Sequence, residues 1–395
     1  MKSFFIKIGK AANSIKKEGV WHGGKKITGY LGIFLKSLAE KKTGNILFIA
    51  GGVGDSARYR AFGVAEELNQ HGFAAAVAMS DDPFLLRYAD EFRVFIFHKT
   101  IFTPKIGKLV EKIKAQKKEI IFDTDDLLFD PQYRERIDYL KNTNELEKKA
   151  YETGLGREFL VDQYVKICSA STSFLADVLR NYKKKVFIVP NKLSRDDLRI
   201  ADKLQAAGTQ LPRADIRVGY FSGSSGHNKD FATITDALAA IMEKYSATRL
   251  FVVGLLDLDM DSKLKQFQDR IVRLPFVSRE KHFKNISEVD INIAPLEIGN
   301  PFCESKSELK FFEAGILGIP TVATATQTFK EAITDGVDGF VASTTKEWFD
   351  KLDRLVSDSD LRKSMGQKAR KKVLQNYSNK NSHGEDYYNY LKSKL

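Results

Sequence analysis

From Asn45 onward, short apolar runs alternate with longer stretches whose apolar residues recur every three or four positions. "NILFIAG" reads as a buried strand, and "SARYRAFGVAEELNQHG" as a helix closed by Gly72. "AAAVAMS", "RVFIFHK", "EIIFDTD", "VKICSAS" and "KVFIVPN" read as further strands, with helices in "PKIGKLVEKIKAQ" and "TSFLADVLRNY". The strand pattern lapses over 195–213 and resumes with "IRVGYFS". After it come helix "DFATITDALAAIMEKY", strands "RLFVVG", "RIVRLPF" and "DINIAPL", a short helix in "SELKFFEAG", and strand "PTVATA". The chain ends in helical patterns, "KEWFDKLDRLV", "LRKSMGQKARKKVLQNY" and "GEDYYNYLKSKL".

Strands without internal alternation, each followed by a helix, predict parallel sheets covered on both faces. Two such series predict an α/β chain of two doubly wound, Rossmann-like domains facing a cleft. The expected boundaries are a leader over 1–44, domains over 45–194 and 214–370, a linker over 195–213, and terminal helices over 371–395 able to cross back to the first domain. In open α/β sheets ligands sit beyond the carboxyl ends of the strands, so the informative residues follow each strand.

Composition narrows the class. The 395 residues suit two domains, and 43% hydrophobic with 29% charged residues is ordinary for a globular chain. Cys168 and Cys303 are the only cysteines, which excludes a disulfide framework and a cysteine zinc site and fits a reducing, cytoplasmic setting. Of the net charge of +12, the 1–44 leader carries +8 and the remainder +4. A nearly balanced body argues against a nucleic-acid face. The leader interleaves lysines with Phe4, Phe5, Ile8, Ile15, Trp21, Leu31, Phe34, Leu35 and Leu38. That pattern predicts two amphipathic helices split at "GVWHGG", which either lie on an anionic membrane surface or pack on the first domain.

Candidate chemistry sits at strand ends. "SKSE" over Ser305–Glu308 has capping-box spacing and predicts a helix from about Lys306. Leu309, Phe312 and Ile316 would pack on the sheet, while Lys306, Lys310 and Glu313 form a second stripe at the rim. Two ammoniums beside a helix N-terminus suit an anion such as phosphate; a plain salt-bridge stripe is the bland reading. Gly52-x-Gly54-x-x-Ala57 superficially matches a dinucleotide fingerprint, but the second strand lacks its terminal acid. A glycine loop that admits a ligand, or a tight turn, remains. "GYFSGSSGHNKDF" offers Gly223, Gly226, His227 and Lys229. Asp123, Asp125 and Asp126 invite a metal reading, although clustered aspartates also cap turns. His98, Lys99 and Asn191 also end strands.

Together these residues resemble the group 1 glycosyltransferases, family 4, of the GT-B fold, over about 45–380 and most strongly over 216–345. The shared features are the glycine loop Gly51, Gly52 and Gly54, the "PN" of Pro190 and Asn191, and Gly223 with Lys229 after the second domain's first strand. Glu313, Ala314, Gly318, Pro320 and Val322 match the second half of the family's paired-glutamate motif. The chain departs from the pattern at Ser224, where arginine is usual, and at Ser305, where the first glutamate belongs; Glu304 is one residue away.

The resemblance implies a retaining hexosyl- or deoxyhexosyltransferase that moves sugar from a nucleotide donor to a glycan or lipid-linked acceptor, in surface polysaccharide biosynthesis. It implies no essential metal and no cofactor beyond the nucleotide-sugar co-substrate. Glu313 would accept the ribose hydroxyls, and Lys229 and Lys310 would neutralise the diphosphate with N–H groups near Lys306 and Ser307. Gly223, Ser224, His227, Glu304 and Ser305 would complete the donor side. Gly52, Gly54, His98, Asp126 and Asn191 would line the acceptor or diphosphate side, with His98 or Asp126 orienting the acceptor hydroxyl. A non-hydrolysing sugar-nucleotide epimerase and a silent glycan-binding scaffold are the alternatives.

Overall fold

The structure, a computed structural model, describes residues 41–136, 152–207, 213–222, 228–254, 256, 262–381 and 384–395. The reading made for the leader before residue 41 therefore lies outside the described residues. The chain divides into two units, one of Met1–Lys192 with Ser382–Leu395, the other of Leu193–Asn381.

In the first unit β1 (Ile46–Ala50), β2 (Ala75–Met79), β3 (Val94–His98), β4 (Glu119–Thr124), β5 (Ile167–Ala170) and β6 (Lys185–Ile188) form one sheet in the order β2-β1-β3-β4-β5-β6. Every pairing is parallel. The unbroken apolar runs of β1 and β3 are buried along their whole length, as strands covered on both faces must be. Strand order reverses between β1 and β3, the kind of position beyond whose strand ends ligands bind in open α/β sheets.

The helix after β1 runs Asp55–Ala57, Arg58–Gly63 and Val64–Gln70, and its middle stretch is wound as a π-helix. Such a wide turn redirects side chains relative to an α-helix. It carries Arg60, which is fully buried and pairs with buried Asp123 on β4 through Nη2–Oδ1 at 2.6 Å and Nε–Oδ2 at 3.2 Å. Arg60 Nη1 also donates to the Val189 carbonyl and, at 3.2 Å, to Asn191 Oδ1. Burial raises the Asp123 carboxyl, but Arg60 beside it and the His98 hydrogen bond outweigh that and hold it at about 2.

Two further contacts close this unit. Tyr387 and Leu391 of the Glu385–Lys392 helix are buried in the first unit's apolar core, alongside Phe187 and Val189. Tyr388 OH and, at 2.5 Å, Lys192 Nζ both donate to buried Glu67. The loop after β3 presses on the loop after β1: Lys99 has φ 46°. A Cβ on Gly51 would lie 1.9 Å from the Lys99 carbonyl oxygen, whereas one on Gly52 would meet nothing within 4 Å.

In the second unit β7 (Ile216–Ser222), β8 (Thr248–Gly254), β9 (Ile271–Leu274), β10 (Ile291–Ala294), β11 (Thr321–Thr324) and β12 (Phe340–Ala342) follow the order β12-β11-β10-β7-β8-β9, again all parallel. Order reverses between β7 and β10. Three-residue β12 is too short to stand out from the sequence. Several readings need correction. Within the stretch read as a 195–213 linker, Arg195–Ala206 is a helix, closed at its start by a Ser194–Asp197 capping box and tied by Gln205 to the Leu317 carbonyl at 2.7 Å. "DFATITDALAAIMEKY" is two helices, Asn228–Ala232 and Thr235–Lys244.

The capping box read at Ser305–Glu308 is not formed. Asn300 caps a turn over Pro301–Glu304, Ser305 Oγ donates back to the Phe302 carbonyl at 2.7 Å, and the next helix begins at Leu309 and runs to Gly315. Asn300 and Pro301 start a separate turn that ends at Glu304, and the chain re-enters a helix only at Leu309, so no helix N-terminus falls at Lys306. Among the described residues, no helix is long and apolar enough to cross a membrane.

Gly51→Ala should destabilise the first unit by roughly 1–3 kcal/mol, the scale of overpacking against a fixed neighbour, while Gly52→Ala stays within about 0.5 kcal/mol of the parent; urea denaturation distinguishes them. Arg60→Met strands the Asp123 charge and should cost about 3–5 kcal/mol by the same assay. Because the folded Asp123 carboxyl is held below its unfolded value, its contribution is complete above about pH 4 and fades as pH falls toward 2. Acid unfolding of the parent should therefore steepen in that window.

Candidate functional site

The second unit gathers its charged residues at the β7/β10 reversal. Asp230, on the Asn228–Ala232 helix after β7, is buried; its Oδ1 accepts from the Glu297 amide and from Cys303 Sγ, both at 3.2 Å. Lys306 and Lys310 stand beside this group. Lys306 Nζ lies 3.9 Å from the Phe302 ring centroid and Lys310 Nζ 5.9 Å from that of Tyr220. Neither ammonium has an ion pair or hydrogen bond among the described residues. Burial lowers the Lys310 pKa, and the nearby charges of Asp230 and Glu313 offset this only in part. A desolvated ammonium without a fixed counterion is an anion site in waiting.

Glu313 is buried one turn after Lys310. Its Oε1 accepts from Arg279 Nη1 and its Oε2 from His282 Nε2 at 3.0 Å. Arg279 also donates through Nε to Asp197 at 2.8 Å. The carboxylate is thus fixed in place, with further lone pairs on each oxygen.

Other predicted donor residues are used within the fold. Ser305 is fully buried on Phe302, and the carboxylate of Glu304 accepts from the amides of Gln327 at 3.0 Å and Gly299 at 3.4 Å. The Lys306 amide, expected to face a diphosphate, donates to the Cys303 carbonyl at 3.1 Å. Ser307 Oγ donates to Glu308 at 3.0 Å. Lys229 is exposed on the Asn228–Ala232 helix. Gly223, Ser224, Gly226 and His227 lie outside the described residues.

Asp230, Glu297 and Cys303 place three potential metal-ligand atoms within 4.8 Å of one another. The thiol, however, donates to Asp230, and burial with that carboxylate raises its pKa strongly. A cation would have to displace this proton and tolerate Lys310. The Asp123–Asp125–Asp126 set is likewise engaged by cations of the chain. Asp123 faces Arg60, while Lys99 Nζ lies 2.6 Å from both Asp125 and Asp126. Despite burial, Lys99 keeps the Asp125 pKa strongly lowered.

In the first unit, His98 and Asp126 were expected to orient a substrate hydroxyl, and Asn191 to line the same side. All three are buried and engaged. Asp126 caps the Leu127–Phe129 turn and holds Lys99; Asn191 accepts from Arg60. His98 Nδ1 donates to Asp123 at 2.8 Å, and its Nε2 meets Ser56 Oγ at 2.9 Å. Parallel register explains the cluster, since Ala50, His98, Asp123 and Ser169 occupy adjacent ladder positions. Gly52 and Gly54 lie in the loop above, where an added Cβ would meet nothing within 4 Å.

The sequence reading passed over Arg60, Ser56, Asp230, Arg279 and His282. Arg279 and His282 had a usable signal, being three apart on a helix and so on one face. Arg60 had none, because an α-helical wheel misplaces residues within a π turn.

Residues 216–358 match the family model described as "Glycosyl transferases group 1". No curated protein matches the chain. Among solved structures, the fold resembles a glycosyltransferase from Rickettsia africae ESF-5, with TM-score 0.59 and 15% identity over 90% of this chain and all of that one. It also resembles Anabaena HepE in complex with UDP-glucose, with TM-score 0.58 and 14% identity over 89% of this chain and all of that one. Sucrose-phosphate synthase from Thermosynechococcus elongatus gives TM-score 0.56 and 12% identity over 88% and 100%. The two six-stranded parallel sheets are those of the GT-B fold seen in these structures, and the part of the chain from β7 to β12 belongs with the group 1 glycosyl transferases by its family match over 216–358.

Proposed function

We propose that the chain is a retaining hexosyl- or deoxyhexosyltransferase whose donor, a nucleoside diphosphate sugar, binds at the β7/β10 reversal. The observation that carries this reading is the pair of lysine ammoniums, Lys306 and Lys310, resting on aromatic faces with no salt bridge or hydrogen bond among the described residues, the charges of Asp230 and Glu313 offsetting the burial of Lys310 only in part. A diphosphate supplies the missing negative charge. Lys310 approaches one phosphate from the rim, and Lys229 joins it as charge builds on the leaving group. Glu313, immobilised by Arg279 and His282, takes the ribose hydroxyls on its remaining lone pairs. HepE, a neighbour in fold, was crystallised with UDP-glucose, so UDP-glucose is the first donor to test.

The acceptor in this reading is a glycan or a lipid-linked sugar held by the first unit, in surface polysaccharide assembly on the inner face of the membrane. The leader's lysines and apolar residues support that placement, because each basic residue near an anionic leaflet contributes about 1 kcal/mol. Co-sedimentation with phosphatidylserine vesicles should pull down the full chain and leave a chain beginning at Asn45 in the supernatant. Equal behaviour of the two removes the membrane role.

Lys310→Met should weaken UDP binding roughly 10- to 150-fold by titration calorimetry, the scale of a hydrogen bond to a charged group. Parent affinity in this variant would refute the donor placement. Because burial lowers the Lys310 pKa, its charge is lost at lower pH than that of an exposed lysine. UDP affinity should therefore fall as pH rises through the upper alkaline range, and this limb should vanish in Lys310→Met. Turnover of UDP-glucose should survive EDTA, since the lysines do the work a metal would otherwise do. Loss of turnover restored by magnesium would contradict that assignment.

A further inference from the structure

The six strands of the first unit are parallel, so their first residues share one edge of the sheet, opposite the edge at which β3 ends in His98. That starting edge is basic. Arg93 stands before β3, Lys117 and Lys118 before β4, Lys166 before β5, and Lys183 and Lys184 before Lys185, the first residue of β6. Backbone hydrogen bonds hold these starts together. The Arg93 amide donates to the Asn45 carbonyl at 2.9 Å, the Glu119 amide to the Arg93 carbonyl at 3.2 Å, and the Lys185 amide to the Lys166 carbonyl at 3.0 Å. With neighbouring strands about 4.8 Å apart, the row from β3 to β6 is about 15 Å long.

The carboxylates that border the row are taken by other cations. Asp90 pairs with Lys112, Glu91 with Lys41, Asp162 with Lys114, Glu119 with Lys394 and Asp177 with Arg180. Arg93, Lys117, Lys166, Lys183 and Lys185 are exposed and make no salt bridge among the described residues. Like charges crowd there. Burial lowers the Lys118 and Lys184 pKa values, and Arg93 beside the one and Lys166 beside the other lower them further.

Helix C-termini favour cations, and Lys117 and Lys183 follow the helices Pro104–Ala115 and Ser173–Arg180. Backbone conformation shows that more is involved. Both lysines are left-handed, with φ 54° and 59°. Lys117 closes a Schellman motif: its amide donates to the Lys114 carbonyl at 2.9 Å, and the Lys118 amide to the Ile113 carbonyl at 3.2 Å. The Lys183 amide donates to the Arg180 carbonyl at 2.8 Å. Glycine fills such positions without strain, and a cation one residue earlier would serve the helix dipole equally well. Twice on one edge, then, the chain keeps a lysine side chain where the backbone disfavours it, a mark of function rather than folding.

We propose that this strand-start edge of the first unit is the face that lies on an anionic bilayer. A row of separate exposed cations lacks the convergent donors that hold a single phosphate, whereas a lipid surface offers anions spread over a plane. The place where the leader joins supports the same partner. Its interleaved lysines and apolar residues run through Lys41 and Lys42 into Asn45, directly before β1 on this edge. Val161, 60% exposed beside the Asp162–Lys114 pair, adds an apolar contact to the row. The row strengthens the leader's attachment rather than replacing it, and turns the carboxyl ends of the strands away from the lipid. Its partner rests on the membrane reading of the leader; nothing in it depends on the donor site.

The test uses the full chain and co-sedimentation with phosphatidylcholine vesicles containing phosphatidylserine. Lys117→Gly with Lys183→Gly should weaken vesicle binding roughly 10- to 30-fold, the effect of two basic residues near an anionic leaflet. The melting temperature should be no lower than the parent's, since glycine relieves both left-handed positions. Adding Arg93→Gln and Lys166→Gln should cause a further loss of similar size. Lys363→Gln with Lys368→Gln, equal in charge and exposed on the second unit, should bind as the parent does. Parent-like binding by the glycine variant, with the full chain still outbinding a chain from Asn45, overturns the face and leaves the leader's role intact. No sedimentation of the parent removes both. A melting temperature clearly below the parent's would show that the lysines serve the fold, and a loss matched by the Lys363 and Lys368 control would show only general charge attraction; either result also overturns the proposal. So does binding of soluble polyphosphate through these lysines without binding of vesicles.

Discussion

The buried pairing of Arg60 with Asp123 is the constraint around which the first unit is arranged. A carboxylate in the middle of a parallel sheet is costly unless its charge is met and its lone pairs are filled. Asp123 has both, from Arg60, His98 and Ser169. Bringing the guanidinium to it requires the π turn over Arg58–Gly63. The same guanidinium then fixes the chain leaving β6 through Val189 and Asn191. One ion pair thus joins the first helix, the central strand and the exit of the sheet. The carboxylate it holds in place also accepts from His98 Nδ1 at 2.8 Å.

The second unit follows the opposite policy. There Glu313 is the satisfied group, held by Arg279 and His282, and the lysines make no salt bridge among the described residues. An ammonium over an aromatic face is partly compensated by the ring's quadrupole, typically by about 0.5–2 kcal/mol. That is enough to hold Lys306 and Lys310 in place and too little to satisfy them. The positive charge so left over sits where the order of the strands reverses, the position at which a doubly wound sheet leaves a crevice. Ser305 and Glu304, at and beside the family's first glutamate position, spend their polar atoms on local turns. The anion-binding character therefore comes from lysine side chains rather than from the helix terminus expected there.

The sequence by itself determined the architecture. Unbroken apolar runs such as those of β1 and β3 can be satisfied only by strands covered on both faces, and their alternation with helical periodicity leaves little choice beyond two parallel sheets. That Lys310 and Glu313 share one turn of a short helix was also legible from their spacing. Tertiary structure decided everything that depends on partners distant in sequence. The pairing of Arg60 with Asp123 spans 63 positions and that of Arg279 with Glu313 spans 34, and no local pattern encodes either. It buried His98, Asp126 and Asn191, which the sequence reading had lining the acceptor or diphosphate side of a cleft, because strand-end residues face solvent or core according to what packs above them. It showed that the polar stretch after β6 contains the Arg195–Ala206 helix, whose Asp197 and Gln205 hydrogen-bond to Arg279 and the Leu317 carbonyl within the second unit. Periodicity reports which residues must be hidden from water; only the folded chain decides which polar groups are hidden with them and what they meet there.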